Sequence, residues 1–417
     1  MKNRNDIDLM SPVGSYESLV AAVKAGANSV YFGIEKMNMR SRSANNFTID
    51  DLKKISEYCA DNNVKSYLTV NTIIYDNEIE KMQEIIDAAA KYKVNAIIAS
   101  DIAVMQYAKK KNLEVHASTQ INISNIEAVD FFSKYCDVIV TARELSLEQV
   151  SYITNRIKEK NIKGPGGKLV QIEVFCHGAL CMAVSGKCYL SLHEYNFSAN
   201  RGACLQTCRR AYIVIDKETG AEIEIDNEYI MSPKDLCTIS FIDKIINAGV
   251  SVLKIEGRAR SPEYVKVVTE CYNEALLSYF DGTYSKEKIK NWKKRLESVF
   301  NRGFWDGYYL GRKLGEWSEA YGSKSTKKKI FIGKITNYFS KLGVAEVLFE
   351  TDENLSTNDE IIVTGPTTGV IMQKAEEIHF ENSPVNRVKQ SDLFSIKVNE
   401  LVRRNDKLYK LEDVSKA

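Results

Sequence analysis

Ser66-Tyr67-Leu68-Thr69-Val70, then a helical pattern over residues 79–92, then Ala96-Ile97-Ile98-Ala99: this run decides the fold. Two short β-rich pieces joined by an amphipathic helix make a βαβ unit, whose strands lie parallel. The same alternation extends in both directions. Upstream stand Ile7-Asp8-Leu9-Met10 and Ser29-Val30-Tyr31-Phe32, with a helical pattern over residues 16–24 closed by Gly26. Downstream stand Leu113-Glu114-Val115-His116, Val138-Ile139-Val140, Val170-Gln171-Ile172-Glu173-Val174-Phe175 and Val252-Leu253-Lys254-Ile255. A further helical pattern over residues 147–158 follows Ser146, a favoured N-cap residue. Eight strand candidates in βα order over residues 1–260 predict an α/β fold, a (β/α)8 TIM-like barrel, rather than an open doubly wound sheet. No G-x-G-x-x-G follows the first strand, which argues against dinucleotide binding.

Beyond the barrel the pattern changes. Ser261-Pro262-Glu263-Tyr264 reads as an N-cap with proline at the first helical position, opening a helical region to about residue 300. Residues 261–328 are expected to be a helical extension and linker, with the basic stretch 324–329 as the linker itself. Residues 329–417 carry six short β-like runs, at 330–338, 343–349, 360–364, 369–378, 393–398 and 407–411. Turn signals such as Gly365-Pro366 and Asn405-Asp406 separate them, so a small C-terminal β-barrel is expected.

The 417 residues exceed one ordinary core, and 44% hydrophobic with 27% charged residues describes a globular chain. No apolar run is long enough for a transmembrane helix. The first residues lead into a strand without an apolar signal core, so a cytoplasmic location is expected. The formal charge of +2 does not announce a nucleic-acid binder, although a local basic face fits within a neutral total. Nine cysteines make an odd number, and a reducing compartment directs them toward metal binding or catalysis rather than disulfides.

Six of the nine lie between Cys176 and Cys237. Cys181, Cys188, Cys204 and Cys208 are spaced C-x6-C-x15-C-x3-C, with Gly178, Gly186 and Gly202 around them. Four thiolates hold either a tetrahedral zinc ion or an iron–sulfur cluster. The first pair is wider than the usual zinc knuckle, which leans toward a 4Fe–4S cluster and leaves zinc as the alternative.

The surrounding residues are more specific. Glu173-Val174-Phe175-Cys176-His177-Gly178-Ala179-Leu180-Cys181, followed by Gly186, Cys188, Leu190 and Ser191, resembles the signature of the collagenase-like peptidases of unknown catalytic type. That family includes prephenate-dependent tRNA uridine hydroxylation proteins, a ribosomal RNA cytidine hydroxylation protein and an oxygen-independent ubiquinone hydroxylation pair. Further family-like segments are Ser11-Pro12-Val13-Gly14, Ala25 through Gly33, Asn45-Asn46-Phe47-Thr48, His116-Ala117-Ser118-Thr119-Gln120, Ala142-Arg143-Glu144-Leu145-Ser146, Met231 through Leu236 and Leu253 through Arg258. The resemblance spans residues 7–310 and implies that Cys181, Cys188, Cys204 and Cys208 ligate a 4Fe–4S cluster. Cys237 is the rival for the fourth place, but the Cys-Arg-x-x-Tyr context of Cys208 looks like the family's. Cys59, Cys136, Cys176 and Cys271 read as packing residues.

Residues at the C-terminal ends of barrel strands face the active site. Asn71 follows the third strand candidate and Asp101 the fourth. His116, Ser118 and Gln120 belong to the fifth, Arg143 and Glu144 to the sixth, and His177 to the seventh. Lys254, Glu256, Arg258 and Arg260 mark the eighth. Buried charges are costly unless paired or bound to a ligand, so a ring of them points to a site. His116, Glu173, His177, Lys254 and Glu256 are the candidate catalytic residues. Asn71, Gln120, Arg143, Arg258 and Arg260 are the candidate substrate contacts, with Tyr31, Arg40 and Asn46 as early-loop contacts. Arg143, Arg209, Arg210, Arg258 and Arg260 suit a dicarboxylate or an RNA backbone. His193 and His379 have no supporting motif.

The resemblance thus implies an iron–sulfur protein of RNA base hydroxylation, forming 5-hydroxyuridine at the tRNA wobble position. The implied partners are tRNA and prephenate or a similar dicarboxylate as cosubstrate, with no membrane. Some relatives work with a paralogue, so a homo- or hetero-oligomer is a further expectation. Two alternatives stand beside it: a collagenase-like peptidase, and a zinc-stabilised RNA-binding module. The sequence offers the peptidase no H-E-x-x-H and no G-x-S-x-G. Cys176 and His177 are neighbours on a strand and point to opposite faces.

Overall fold

The computed structural model describes residues 3–41, 46–220, 229–311, 315–319, 322–390 and 392–414. Asn45 of the family-like Asn45–Thr48 segment lies outside the described residues. The barrel strands are β1 (Asp8–Pro12), β2 (Ser29–Gly33), β3 (Lys65–Val70), β4 (Ala96–Ala99), β5 (Glu114–Ala117), β6 (Val138–Val140) and β7 (Gln171–Gly178). They are joined by β9 (Val252–Ile255), after a short β8 (Asp235–Cys237). β1 to β7 pair in parallel sequence order, β7 pairs β9, and β9 returns to β1. The eight-stranded parallel barrel expected from the sequence is therefore closed.

The helices alternate with the strands. They are α1 (Tyr16–Lys24), α2 (Asp51–Asp61), α3 (Ile79–Lys91), α4 (Ile102–Lys110), α5 (Ile126–Ser133) and α6 (Leu147–Glu159). The insertion after β7 contributes α7 (Leu190–Tyr195) and α8 (Ile242–Asn247), and α9 (Pro262–Phe280) follows β9. Local chemistry explains their limits. Ser146 caps α6 by accepting from Gln149 N, and Gln149 reciprocates on the Ser146 backbone. The helix begun at Pro262 stops at Phe280, and a second, α10 (Lys286–Glu297), starts at the Ser285 cap, so the region expected as one helical stretch is two helices. α9 packs against α1 and β1 and completes the ring of helices.

Apolar side chains such as Leu9, Phe32, Leu68, Ile97, Ile139 and Leu253 fill the space between strands and helices. The barrel interior carries a separate, smaller apolar set that includes Met10, Tyr31, Tyr67, Ile98, Val138 and Val252.

β8 pairs antiparallel with the end of β7, and β10 (Phe304–Trp305) lies parallel to β8. These pieces of two and three residues are too short to show a period. Gly178, at the end of β7, has φ +104°, and a Cβ there would stand 2.6 Å from the Glu256 carbonyl oxygen. Glycine at this position lets β7 turn into the cysteine-bearing insertion where the chain after β9 passes.

The C-terminal region is an antiparallel β domain. Its strands are β11 (Lys327–Phe339), β12 (Val344–Phe349), β13 (Asn354–Ser356), β14 (Glu360–Gly365), β15 (Gly369–Lys374), β16 (Ile378–Phe380), β17 (Ser383–Pro384), β18 (Arg387–Lys389), β19 (Leu393–Lys397) and β20 (Lys407–Asp413). Eight of them form one sheet in the order β15-β14-β20-β11-β12-β19-β16-β17 over a core including Ile332, Val347, Phe394 and Leu408. The basic stretch expected as a linker is corrected here: Lys327, Lys328 and Lys329 are strand, paired with Asp413, Glu412 and Leu411. Opposite charge across the pair, as in Lys327–Asp413 at 2.8 Å, makes a lysine run compatible with an edge of β11. The domain rests on the barrel through Ile362 and Val370, which pack with Ala21 of α1. Lys24 adds an ion pair to Glu400 at 2.7 Å.

Candidate functional site

The C-terminal ends of the strands surround a cavity of about 170 Å³. Cys181, Cys188, Cys204 and Cys208, all in the insertion after β7, line it. Cys181 is exposed and the other three are partly exposed, whereas Cys59, Cys136, Cys176, Cys237 and Cys271 are buried. The four cavity cysteines are thus the more exposed of the nine and the other five are core residues. Burial raises the Cys208 thiol to about 11, against the nearby Arg209, and the thiols of Cys181, Cys204 and Cys188 push the same way. Cys237, the rival fourth ligand, is instead packed under the Tyr272 hydroxyl at 4.0 Å and does not line the cavity. Among the described residues no three His, Cys, Asp or Glu side chains already stand as a metal-binding group. The donor set nevertheless fits an iron–sulfur cluster in kind: four soft thiols around one cavity, none engaged in core packing.

The floor and walls are cationic. Lys254, Arg40, Arg143 and Arg258 line the cavity with Glu256, Asn71 and Gln120. Arg40 Nη2 holds Glu256 Oε1 at 2.9 Å. Burial alone would raise the Glu256 carboxyl, but Arg40, Arg260 and Arg143 outweigh it and hold it down at about 2. Arg258 Nη1 donates to Asn38 Oδ1 at 3.0 Å and to Thr69 Oγ1 at 2.8 Å. Arg143 lies 4.4 Å from the Phe175 ring centroid and donates from Nη1 to the Ala179 carbonyl at 3.0 Å. Its Nη2 is buried without a hydrogen-bond partner. Asn71 Nδ2 donates to Ser118 Oγ at 3.2 Å and to Gln120 Oε1 at 3.4 Å, and Ser118 in turn donates to Gln120. A second cavity of about 110 Å³ adjoins this one, shares Arg40, Arg143 and Glu256, and adds Arg209 and Arg260. Arg260 stacks 3.6 Å from the Phe300 ring centroid.

Three candidates stand elsewhere. His116 and Glu173 lie in the barrel interior, beneath the cavity. His116 Nε2 is 3.0 Å from Glu114 Oε1, and Glu173 Oε1 is 2.8 Å from Lys254 Nζ. His177 does not reach the cavity. A register shift between Phe175 and His177 turns it into a cage of Tyr264, Tyr272 and Phe304 rings. Burial, aided by Arg260, lowers its imidazole to about 3. Asp101 caps α4, accepting from Ala103 N, and Glu144 borders a different cavity, between α5 and α6. Arg209 braces the insertion through the Leu180 and Pro233 carbonyls, while Arg210 is exposed beside Tyr195. His193 is exposed and His379 half-buried.

Residues 14–319 match the profile of Peptidase family U32. The chain belongs to this family. A collagenase of Porphyromonas gingivalis is 60% identical over 410 residues, covering 98% of this chain and 99% of that one. An uncharacterized protease of Methanocaldococcus jannaschii is 36% identical over 412 residues, 98% of each chain. A tRNA hydroxylation protein of Bacillus subtilis is 31% identical over 339 residues, 79% of this chain and 77% of that one. The U32 match takes in the barrel strands from β2 onward, the cysteine insertion and the arginine-lined mouth. No described helix is long and apolar enough to cross a membrane.

Sequence reasoning missed Glu114, Asn38 and Thr69. Glu114 was legible in principle, since Glu114 and His116 alternate on one strand and share a face. Asn38 and Thr69 carry no chemical motif and reach Arg258 only through the closure of the barrel.

Proposed function

We propose that this chain is an iron–sulfur protein that hydroxylates an RNA base, with the tRNA wobble uridine as substrate and 5-hydroxyuridine as product. The observation that carries the reading is the convergence of four non-core thiols with three arginines and a lysine on one strand-end cavity. Cys181, Cys188, Cys204 and Cys208 would hold a 4Fe–4S cluster, which supplies one-electron redox chemistry when bound. The cationic residues do the binding. Arg143, with a free buried edge, offers a carboxylate or phosphate a charge-assisted hydrogen bond. This suits prephenate or a similar dicarboxylate as cosubstrate. Glu256, held ionised by Arg40, Arg260 and Arg143, fixes the Arg40 guanidinium in place. Lys254 presents an ammonium hydrogen to whatever occupies the cavity. An anticodon base is unstacked and can enter such a mouth, whereas a paired base cannot.

A peptidase is the second reading, favoured by the collagenase name of the 60%-identical relative. The chemistry of the mouth speaks against it. A protease needs an activated nucleophile, a metal-bound water or a carboxylate pair. The buried histidines serve none of these roles here: His116 is flanked by two carboxylates and His177 is enclosed by rings.

Anaerobic purification tests the first reading. About four iron and four sulfide per chain, with broad absorbance near 400 nm (roughly the thiolate-to-iron charge-transfer region), are expected. Expression in a strain lacking wobble 5-hydroxyuridine should restore that nucleoside in its tRNA. Stoichiometric zinc without iron, or collagen cleavage with unaltered tRNA, would overturn the reading.

A further inference from the structure

The interior of a (β/α)8 barrel is ordinarily filled by bulky branched side chains. In this one a line of ionisable groups runs through the apolar packing from one face to the other. At the N-terminal face, opposite the cysteines, lies a cavity of about 470 Å³ lined by Lys65, Glu114, Asp137, Lys168 and Gln171. Glu114, the first residue of β5, is half exposed there. Its Oε1 stands 3.0 Å from His116 Nε2, and His116 is fully buried. On the other side of the ring, His116 Nδ1 faces Glu173 Oε2 at 3.5 Å. Neither of these two buried atoms has a hydrogen-bond partner. Glu173 Oε1 then meets Lys254 Nζ at 2.8 Å, and Lys254 lines the mouth.

Burying this many charges costs stability that apolar side chains would not. A structural role for Lys254 needs only Glu173. It does not call for a histidine with its two nitrogens aimed at two different carboxylates, the second of which opens on the far side of the barrel. That arrangement is the one an imidazole needs to take a proton on one nitrogen and release another from the opposite nitrogen.

We propose that Glu114, His116 and Glu173 form a proton relay between Lys254 at the mouth and the cavity on the N-terminal face. The relay rests on the reading that a macromolecule covers the mouth, because that cover separates Lys254 from bulk water. In the outward direction the Lys254 ammonium gives an Nζ proton to Glu173. Glu173 passes a proton to His116 Nδ1, His116 releases its Nε2 proton to Glu114, and Glu114 gives it to water in the lower cavity. Lys254 then takes a proton from the reaction at the mouth and both carboxylates are again ionised, while His116 is left as the Nδ1–H tautomer, which a proton carried back along the line from the lower cavity through Glu114 resets to Nε2–H. The step between Glu173 and His116 needs their 3.5 Å gap to close by a few tenths of an ångström. The other charged and titratable groups facing the line are Asp8 and Tyr67, joined at 2.9 Å beneath His116, Tyr31 beside Lys254, and Lys65 and Asp137 near Glu114. None of them bridges the two ends.

Two measurements test the relay. The first does not depend on activity. The chain has four histidines, so the ring of His116 can be followed by nitrogen-15 NMR of histidine-labelled protein. Glu114→Gln should slow exchange of the His116 ring proton with solvent by roughly tenfold or more, since it removes the acceptor toward water. An unchanged exchange rate overturns the relay. The second uses tRNA hydroxylation by the full chain. Glu114→Ala should slow turnover without altering iron content or tRNA affinity, and formate, small enough for the lower cavity, should restore it. A loss that formate does not relieve, or no loss at all, overturns the relay. If the unaltered protein hydroxylates no RNA, the proposed function fails, while the exchange measurement still decides the relay.

Discussion

Lys254 Nζ lies 2.8 Å from Glu173 Oε1 across the strand pair β7–β9, which closes the barrel, and water reaches neither side chain appreciably. Burial would raise the Glu173 carboxyl, but Lys254 and then His116 hold it below the ordinary carboxylate range. The carboxylate is therefore held ionised, and the two side chains depend on each other.

Glu173→Gln leaves the ammonium buried without a counter-charge. It should destabilise the chain by about 3–5 kcal/mol, as breaking a buried pair does. Glu173→Leu with Lys254→Met should recover much of that loss. Urea unfolding of Glu173→Leu, Lys254→Met and the double variant gives the coupling, and a double variant as unstable as the sum of those singles would contradict it.

The strand–helix order was legible because each barrel strand is a short β-rich run bounded by a periodic helix, and closure followed from counting. The clustering of Cys181, Cys188, Cys204 and Cys208 was legible from spacing, and the four line one cavity while Cys59 is buried in the core. His177 departs from the expectation that a strand-end position faces the mouth. A one-residue register shift against β9 reverses that direction, and nothing in the sequence marks it. Lys327–Lys329 misled for the opposite reason. Lysines suggest solvent, yet their strand pairing is set by Asp413 and Glu412, more than eighty residues away.

His177 should make folding acid-sensitive. Its imidazole is lowered from about 6.5 to about 3, so the folded state favours the neutral ring. The sign follows: the stabilisation is complete above about pH 6.5 and is lost as pH falls toward 3. The slope is about 1.4 kcal/mol per pH unit at most. His177→Phe fits the ring cage and should flatten that part of the stability curve. Urea midpoints between pH 7 and 4 measure the difference, and parallel curves for the two proteins would count against the buried neutral histidine.

Cysteine substitutions should sort by position. Cys181→Ala and Cys208→Ala should lose most of the iron and sulfide bound after anaerobic purification. Cys237→Ala and Cys59→Ala should keep it, with only the stability cost of about 1–2 kcal/mol expected of a small core truncation. Iron retained in Cys208→Ala but lost in Cys237→Ala would move the fourth ligand to β8.

Arg143 offers the sharpest test of what the mouth recognises. One edge of its guanidinium is spent on the Ala179 carbonyl and its face on Phe175, which leaves Nη2 buried and unpartnered. Burial lowers its affinity for a proton, partly offset by Tyr309 and Glu256, so the group is held in a costly environment that an anion would relieve. Lysine keeps a charge but has neither the planar fork nor the stacking face. Arg143→Lys should therefore raise the KM for an anionic cosubstrate such as prephenate by roughly tenfold, the equivalent of one charge-assisted hydrogen bond. Iron content should not change, because Arg143 touches the loop of Cys181 only through a backbone carbonyl that a lysine ammonium can also reach. An unchanged KM with a reduced kcat would instead assign Arg143 to the reacting group, since an interaction made only in the transition state moves kcat and leaves ground-state binding alone.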